Sequence, residues 1–221
     1  MSPIRLGLMV PINNTTMQGE MLAWMPAGST CRTLKIPRGE GMLTTDSVPA
    51  YAASAVSLAK DFNEGECDVI AYGCTAAGFL SGPAADAKLA KDIGAATGKR
   101  VVTTAQAMVQ ALKKSGTKSI AVVTPYLEGV NNSLISFLSE SGIKVQILKS
   151  FLAKDTEALG RITEPEVERL ARETMRDDCD GMFIACSQLP TRNIVEPLQR
   201  EFGRPVWSSI QATAWQVMEQ R

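Results

Sequence analysis

The sequence predicts an α/β protein of two pseudo-symmetric lobes, each with a mainly parallel sheet flanked by helices, and a site in the cleft between them. Two observations carry this. Strand-like apolar runs alternate with amphipathic helical runs along the whole chain. A long segment also occurs twice. Cys67-Asp68-Val69-Ile70-Ala71-Tyr72-Gly73-Cys74-Thr75 matches Cys179-Asp180-Gly181-Met182-Phe183-Ile184-Ala185-Cys186-Ser187, and one offset relates both cysteine pairs. Each copy has an acidic start, an apolar run of strand length, then a cysteine followed by a hydroxyl residue. Leu6 to Pro11 likewise matches Ile120 to Pro125, and Gly98 to Ala107 matches Gly203 to Ala212. Solenoids repeat shorter units at least three times, so one long duplication means two related lobes.

The elements follow in order. Residues 4–10 are apolar and close on Pro11, which makes a strand; the Asn and Thr residues behind it suit the start of a helix at 15–24. A strand at 31–36 ends at Pro37. The Gly- and Thr-rich segment 37–47, with Pro37 and Arg38, is a candidate flap over the cleft. Pro49 fits the first turn of a helix at 48–64. The strand at 68–73 holds the first cysteine motif, and Pro83 opens a helix at 83–97. A strand at 100–103 leads into a crossover helix at 104–115, stopped by Gly116. In the second half the strands are 119–123, 143–149, 181–185 and 205–207. Its helices are 130–141, capped by Asn131 or Asn132 and stopped by Gly142; 164–177, opened by Pro165; 191–202, stopped by Gly203; and 209–219. The expected division is 1–103 for the first lobe, with the C-terminal helix 209–221 packing back on it, and 104–208 for the second.

Composition excludes several function classes. Lys and Arg number 23 against 23 Asp and Glu, with no basic block to hold nucleic acid or an anionic membrane surface. No stretch approaches the roughly 20 apolar residues of a membrane span. Residues 1–11 read as a strand and lack the pattern of a signal peptide, so a cytoplasmic protein is expected. Five cysteines without a secretory signal read as free thiols. Histidine is absent, which removes Ser-His-Asp chemistry, the Cys-His pair and histidine metal sites together. No C-x-x-C pair suggests zinc, so no metal is expected. Any reactive cysteine must be activated by backbone N–H groups, a helix N-terminus or a nearby cation.

Open parallel sheets bind ligands beyond the carboxyl ends of their strands. That rule selects Pro11 to Thr16 and Gly73 to Ala77 in the first lobe. In the second it selects Thr124 to Glu128, Ala153 to Thr156 and Ala185 to Leu189. Cys74 and Cys186 fall at matching strand ends, and facing thiols can exchange protons, or one can attack while the other protonates. A buried structural cysteine is the plain alternative for either alone; the second copy favours function. Small residues after Cys74, Thr75 and Ala76 among them, let a ligand approach backbone N–H groups. Asn14 offers an uncharged amide, Tyr126 a hydroxyl, and Ser187 and Gln188 further polar groups. Thr156 is weaker. Arg38 and Arg161 are the available cations. Cys67 and Cys179 begin their strands and read as packing residues, and Cys31 carries no signal.

Together Val10-Pro11-Ile12-Asn13-Asn14-Thr15-Thr16-Met17, Tyr72-Gly73-Cys74-Thr75, Thr124-Pro125-Tyr126, Asp155-Thr156 through Gly160-Arg161, and Ala185-Cys186-Ser187-Gln188-Leu189-Pro190 resemble the Asp/Glu racemase superfamily, and within it the maleate cis–trans isomerases. The resemblance implies two α/β lobes, a site between them, and neither cofactor nor metal. It implies Cys74 as nucleophile, Cys186 as proton donor, and Asn14 and Tyr126 holding carboxylates. Pro11, Thr75, Ala76, Thr156, Ser187 and Gln188 complete the expected substrate contacts, although the family usually has asparagine where this chain has Thr156. Arylmalonate decarboxylases are related but keep only the second cysteine. The expected activity is maleate-to-fumarate isomerisation through a covalent cysteine adduct. The alternatives are a Cys–Cys racemase of amino acids or hydantoins, and a small-molecule binding protein. The expected partner is a small carboxylate substrate, and the expected assembly a homo-oligomer, dimer or tetramer.

Overall fold

The computed structural model describes residues 2–39 and 41–219. Glu40 of the candidate flap, and residues 220 and 221 of the expected last helix, lie outside them. The first sheet contains β1 (Arg5–Pro11), β2 (Thr30–Ile36), β3 (Val69–Tyr72) and β4 (Arg100–Thr103) in the order β2-β1-β3-β4, all parallel. The second repeats this pattern with β5 (Ser119–Thr124), β6 (Lys144–Ser150), β7 (Gly181–Ile184) and β8 (Val206–Ser208), ordered β6-β5-β7-β8. The two-lobed α/β architecture is therefore as the sequence predicts.

Helices cover the faces of both sheets. They are α1 (Met17–Trp24), α2 (Val48–Ala59), α3 (Thr75–Ser81), α4 (Pro83–Thr97) and α5 (Thr104–Lys114), then α6 (Glu128–Glu140), α7 (Thr156–Gly160), α8 (Glu164–Thr174), α9 (Val195–Phe202) and α10 (Ser209–Glu219). The central strands β3 and β7 are buried along their whole length, as parallel strands covered on both faces must be. The last helix, α10, packs on α1 and α5. Among the described residues, no helix is long and apolar enough to cross a membrane.

The duplication has a visible physical basis at both ends of the strand pair. At the start, Asp68 accepts the backbone N–H of Arg5 at 2.8 Å, and Asp180 accepts those of Lys118 and Ser119 at 2.9–3.1 Å. Each acidic residue thus pins the start of the neighbouring strand. At the far end, Gly73 N–H bonds to Met9 O at 2.7 Å and Ala185 N–H to Val123 O at 2.8 Å. The residues that follow, Cys74 and Cys186, are thereby placed at the same edge of their sheets.

Several boundaries differ from the sequence-based expectation. The second helix stops at Ala59 rather than 64, where the N–H groups of Lys60, Asp61 and Phe62 turn to the carbonyls three residues back, of Ser57, Leu58 and Ala59. The helix expected from 191 begins at Val195; Thr191 is held beforehand by Glu20, whose carboxylate accepts its N–H and hydroxyl at 2.7 and 2.9 Å. The helix expected from 130 starts at Glu128, so neither Asn131 nor Asn132 caps it. Asn131 is buried instead and ties Thr124 to the carbonyl of Tyr126. The short helices α3 and α7 were not expected.

Helix α3 bridges the lobes. Its Phe79 packs edge-on to Tyr126 and Phe137, with ring centroids 6.5 and 5.6 Å apart. This depends on Gly78, where an added Cβ would meet the Ala105 Cβ at 2.5 Å and Asp86 Oδ1 at 3.0 Å. The alanine methyl has no rotamer with which to yield. Gly78→Ala is therefore expected to destabilise the fold by about 1–3 kcal/mol through overpacking, read from its urea unfolding midpoint.

Candidate active site

The carboxyl edges of the two sheets enclose a cavity of about 50 Å³. Cys74 and Cys186 both line it, with Pro11, Asn14, Thr75, Ala76, Tyr126, Ser187 and Gln188. Of the residues singled out in the sequence, Thr156 is absent from the lining. It is the first residue of α7, whose cap is Asp155 accepting from Ala158 N–H at 2.7 Å, and this short helix turns Leu159 to the cavity instead. Asn13, Arg38, Met42, Leu43, Val130 and Leu159 also line the space and were not singled out as contacts, though Arg38 was noted as a cation. From segment 37–47, Arg38, Met42 and Leu43 reach the cavity. Arg161 is exposed and pairs with Glu157.

Cys74 follows a glycine for a steric reason. A Cβ on Gly73 would lie 2.4 Å from Met17 Sδ and 2.8 Å from Val10 Cγ1. The thiol then stands at the N-cap of α3. Burial pushes the Cys74 thiol up to about 11; the Ala77 N–H, the Tyr51 hydroxyl and the charge of Arg38 act in the opposite direction. Arg38 is itself engaged, donating to Gly41 O at 2.7 Å.

Cys186 is held differently. Its backbone lies at φ +106°, a region that side-chain-bearing residues rarely adopt. Its N–H donates to Ser209 Oγ at 2.9 Å, and its sulfur accepts the Gln188 N–H at 3.4 Å. Burial pushes this thiol up as well, opposed by the N–H groups of Gln188 and Leu189 and by the Tyr126 hydroxyl. The charge of either sulfur is felt by the other: a Cys186 thiolate would raise the pKa of Cys74 further.

The polar lining divides into engaged and available groups. The Asn14 amide donates to Ser187 O at 3.0 Å and Ser187 Oγ at 3.2 Å, and its oxygen accepts the N–H groups of Thr16 and Met17. Gln188 accepts from Thr15 N–H at 2.9 Å and donates to Thr15 Oγ1 at 3.0 Å. The Ser187 hydroxyl donates to Gly73 O at 2.7 Å. These side chains latch one lobe to the other at the cavity wall. Tyr126 Oη and Asn13 Oδ1 are buried and have no partner among the described residues. The first N–H groups of α3, at Thr75 and Ala76, have no intrahelical acceptor. The cavity therefore offers a phenol and two backbone donors beside a pair of thiols. Among the described residues, no group of three or more His, Cys, Asp or Glu side chains could hold a metal.

Behind α3 lies Asp86, 1% exposed, with Oδ2 accepting the Thr103 hydroxyl at 2.5 Å and Oδ1 unpartnered among the described residues. Burial pushes its carboxyl up to about 6. Between an unfolded value of about 3.9 and that point, the unfolded chain gives up this proton first, so stability falls as pH rises, by roughly 3 kcal/mol across the window. Asp86→Asn should flatten the stability curve between pH 4 and 6 and leave the protein more stable above it. Urea unfolding at a series of pH values measures this.

A buried thiol from each of two related α/β lobes, both facing one small polar-edged cavity, defines a two-thiol class of α/β fold. The family model for arylmalonate decarboxylase matches residues 6–221, and the chain belongs to that family. It is 25% identical over 231 residues to a maleate isomerase from Geobacillus stearothermophilus, covering 97% of this chain and 90% of that protein. It is 27% identical over 179 residues to an arylmalonate decarboxylase from Bordetella bronchiseptica, covering 80% and 75%. Among solved structures, a Nocardia farcinica maleate cis–trans isomerase, a cysteine-to-serine mutant with a covalently bound succinylcysteine intermediate, superposes with a TM-score of 0.89. It is 23% identical, over 99% of this chain and 92% of that one.

Proposed function

We propose that this chain catalyses the cofactor-independent cis–trans isomerisation of a small unsaturated dicarboxylate, maleate to fumarate, by way of a covalent adduct on Cys74. The observation that carries this is the placing of Cys74 and Cys186 on one cavity. A member with the second cysteine alone has no nucleophile at position 74, so the first thiol favours isomerisation over decarboxylation. The succinylcysteine in the Nocardia farcinica relative is an adduct of the expected kind.

The Cys74 thiolate adds to one alkene carbon, and the π electrons move towards the neighbouring carboxylate. The Cys186 thiol delivers its proton to the adjacent carbon, leaving a thioether and a Cys186 thiolate. The former double bond is now single and rotates. Cys186 removes a proton from the same carbon, the C–S bond breaks, and the trans alkene leaves with both sulfurs restored. The Tyr126 hydroxyl and the N–H groups at Thr75 and Ala76 receive the charge that builds on the carboxylate. Pro11 shapes the wall, while Asn14, Ser187 and Gln188 act by holding the lobes in register around the substrate. Thr156 contributes at most through the position of α7.

The lobes are taken as 1–103 with 209–221, and 104–208. A cytoplasmic homo-oligomer is the expected setting. Proton NMR of the protein with maleate tests the reaction, because isomerisation, decarboxylation and simple binding leave different spectra; unchanged maleate after prolonged incubation rules the proposal out. Because Cys74 starts as a thiol, kcat/KM should climb by about tenfold per pH unit above neutrality until the thiol titrates. A flat profile from pH 7 to 9 contradicts thiolate attack. The same facing thiols suit two-base racemisation of an amino acid or hydantoin, which α-deuteration in D₂O would reveal.

A further inference from the structure

Tyr51, in the first turn of α2, is buried in the same apolar cluster as Cys74, Leu43 and Tyr72. Tyr51 does not line the cavity that holds the two thiols. It borders a separate hollow of about 380 Å³, with Pro37, Arg38, Ser47 and Ser54. Its hydroxyl is sealed from solvent and closes no hydrogen bond among the described residues, yet it lies within interaction range of the Cys74 sulfur. A buried hydroxyl without an acceptor is a cost to the fold. It becomes useful when an anion forms beside it during a reaction. Burial raises the phenol's own pKa, so it donates and does not ionise.

We infer that Tyr51 is the hydrogen-bond donor that holds the Cys74 thiolate, from outside the cavity and without touching the substrate. This rests on the two-thiol reading above. Cys186 has its own phenol in Tyr126, which follows Pro125 directly. The matching position of the first lobe, after Pro11, is Ile12, which is exposed and has no hydroxyl. The duplication therefore supplies no phenol for Cys74, and α2 provides one from another direction. Besides Tyr51, the groups that favour the Cys74 anion are the Ala77 N–H and the charge of Arg38.

Tyr51→Phe removes one oxygen and keeps the ring. The rate of iodoacetamide modification at Cys74, followed by peptide mass spectrometry against pH without substrate, should move up by about 1 pH unit, so that at pH 8 Cys74 reacts about tenfold more slowly. With maleate, kcat should fall about tenfold while KM stays within about twofold, because the hydroxyl acts on the sulfur and not on the ligand. The melting temperature should hold or rise. Tyr72→Phe, which removes another buried hydroxyl of the same cluster, should leave the Cys74 profile in place. Superimposable alkylation profiles for wild type and Tyr51→Phe, or an equal displacement in Tyr72→Phe, overturn the inference. If Tyr51→Phe does not fold, 3-fluorotyrosine at position 51 is a stronger donor of nearly the same shape and should move the profile down; no movement overturns the inference. A shifted alkylation profile in a protein that leaves maleate untouched supports the role of Tyr51 and refutes the proposed reaction instead.

Discussion

Cys74→Ser is expected to lower maleate isomerisation by about three orders of magnitude or more, with little change in the melting temperature. The thiolate is the nucleophile, and a neutral hydroxyl in a buried site has no comparable anion to offer. The cost to the fold is small because Cys74 closes no side-chain hydrogen bond that holds the lobes; Asn14, Ser187 and Gln188 do that. Isomerisation assayed by loss of the alkene signal of maleate, beside thermal unfolding of the same samples, separates the two effects. Near-wild-type turnover by the serine variant would show that no covalent bond to Cys74 is needed.

Cys186→Ser is expected to fail later in the cycle, and so to leave a different trace. Serine can still give a proton in the addition step, slowly, but its alkoxide is too costly in a buried site to form and take a proton back. Turnover should drop by about two to four orders of magnitude, while a thioether one maleate heavier than the free protein accumulates on Cys74. Intact-mass spectrometry after incubation with maleate, with the modified peptide then mapped, checks both the amount and the place. An adduct on Cys31, Cys67 or Cys179 instead, or full turnover with no adduct, would contradict the division of labour between the two thiols.

The central strands were legible in the sequence as short apolar runs, and the edge strands β2 and β6 as alternating apolar and polar residues. The two cysteines were legible because the duplication put them at matching strand ends. What escaped was set by tertiary contacts. Helix α3 reads Thr-Ala-Ala-Gly-Phe-Leu-Ser, with no apolar period to mark it, and it exists because Gly78 lets it sit against Ala105. Helix α7 is five residues long, so its register, which turns Leu159 and not Thr156 to the cavity, has no sequence signal. Met42 and Leu43 look like loop residues until the other lobe is placed opposite them. Tyr51 reads as an ordinary core aromatic in an amphipathic helix; only the lack of a partner for its hydroxyl marks it. The polar residues Asn14, Ser187 and Gln188 were expected as ligand contacts, and sequence alone does not reveal that Asn14 bonds Ser187, Ser187 bonds Gly73 and Gln188 bonds Thr15 across the lobes.

The backbone of Cys186, at φ +106°, has a consequence for how this chain can change. Glycine adopts that angle without penalty, and any other residue gives up on the order of 1 kcal/mol or more. Random drift should therefore find Cys186→Gly an attractive exit, one that firms up the molecule as it silences the sulfur. A hardier yet inert Cys186→Gly protein would be a direct reading of what this thiol takes from the resilience of the whole.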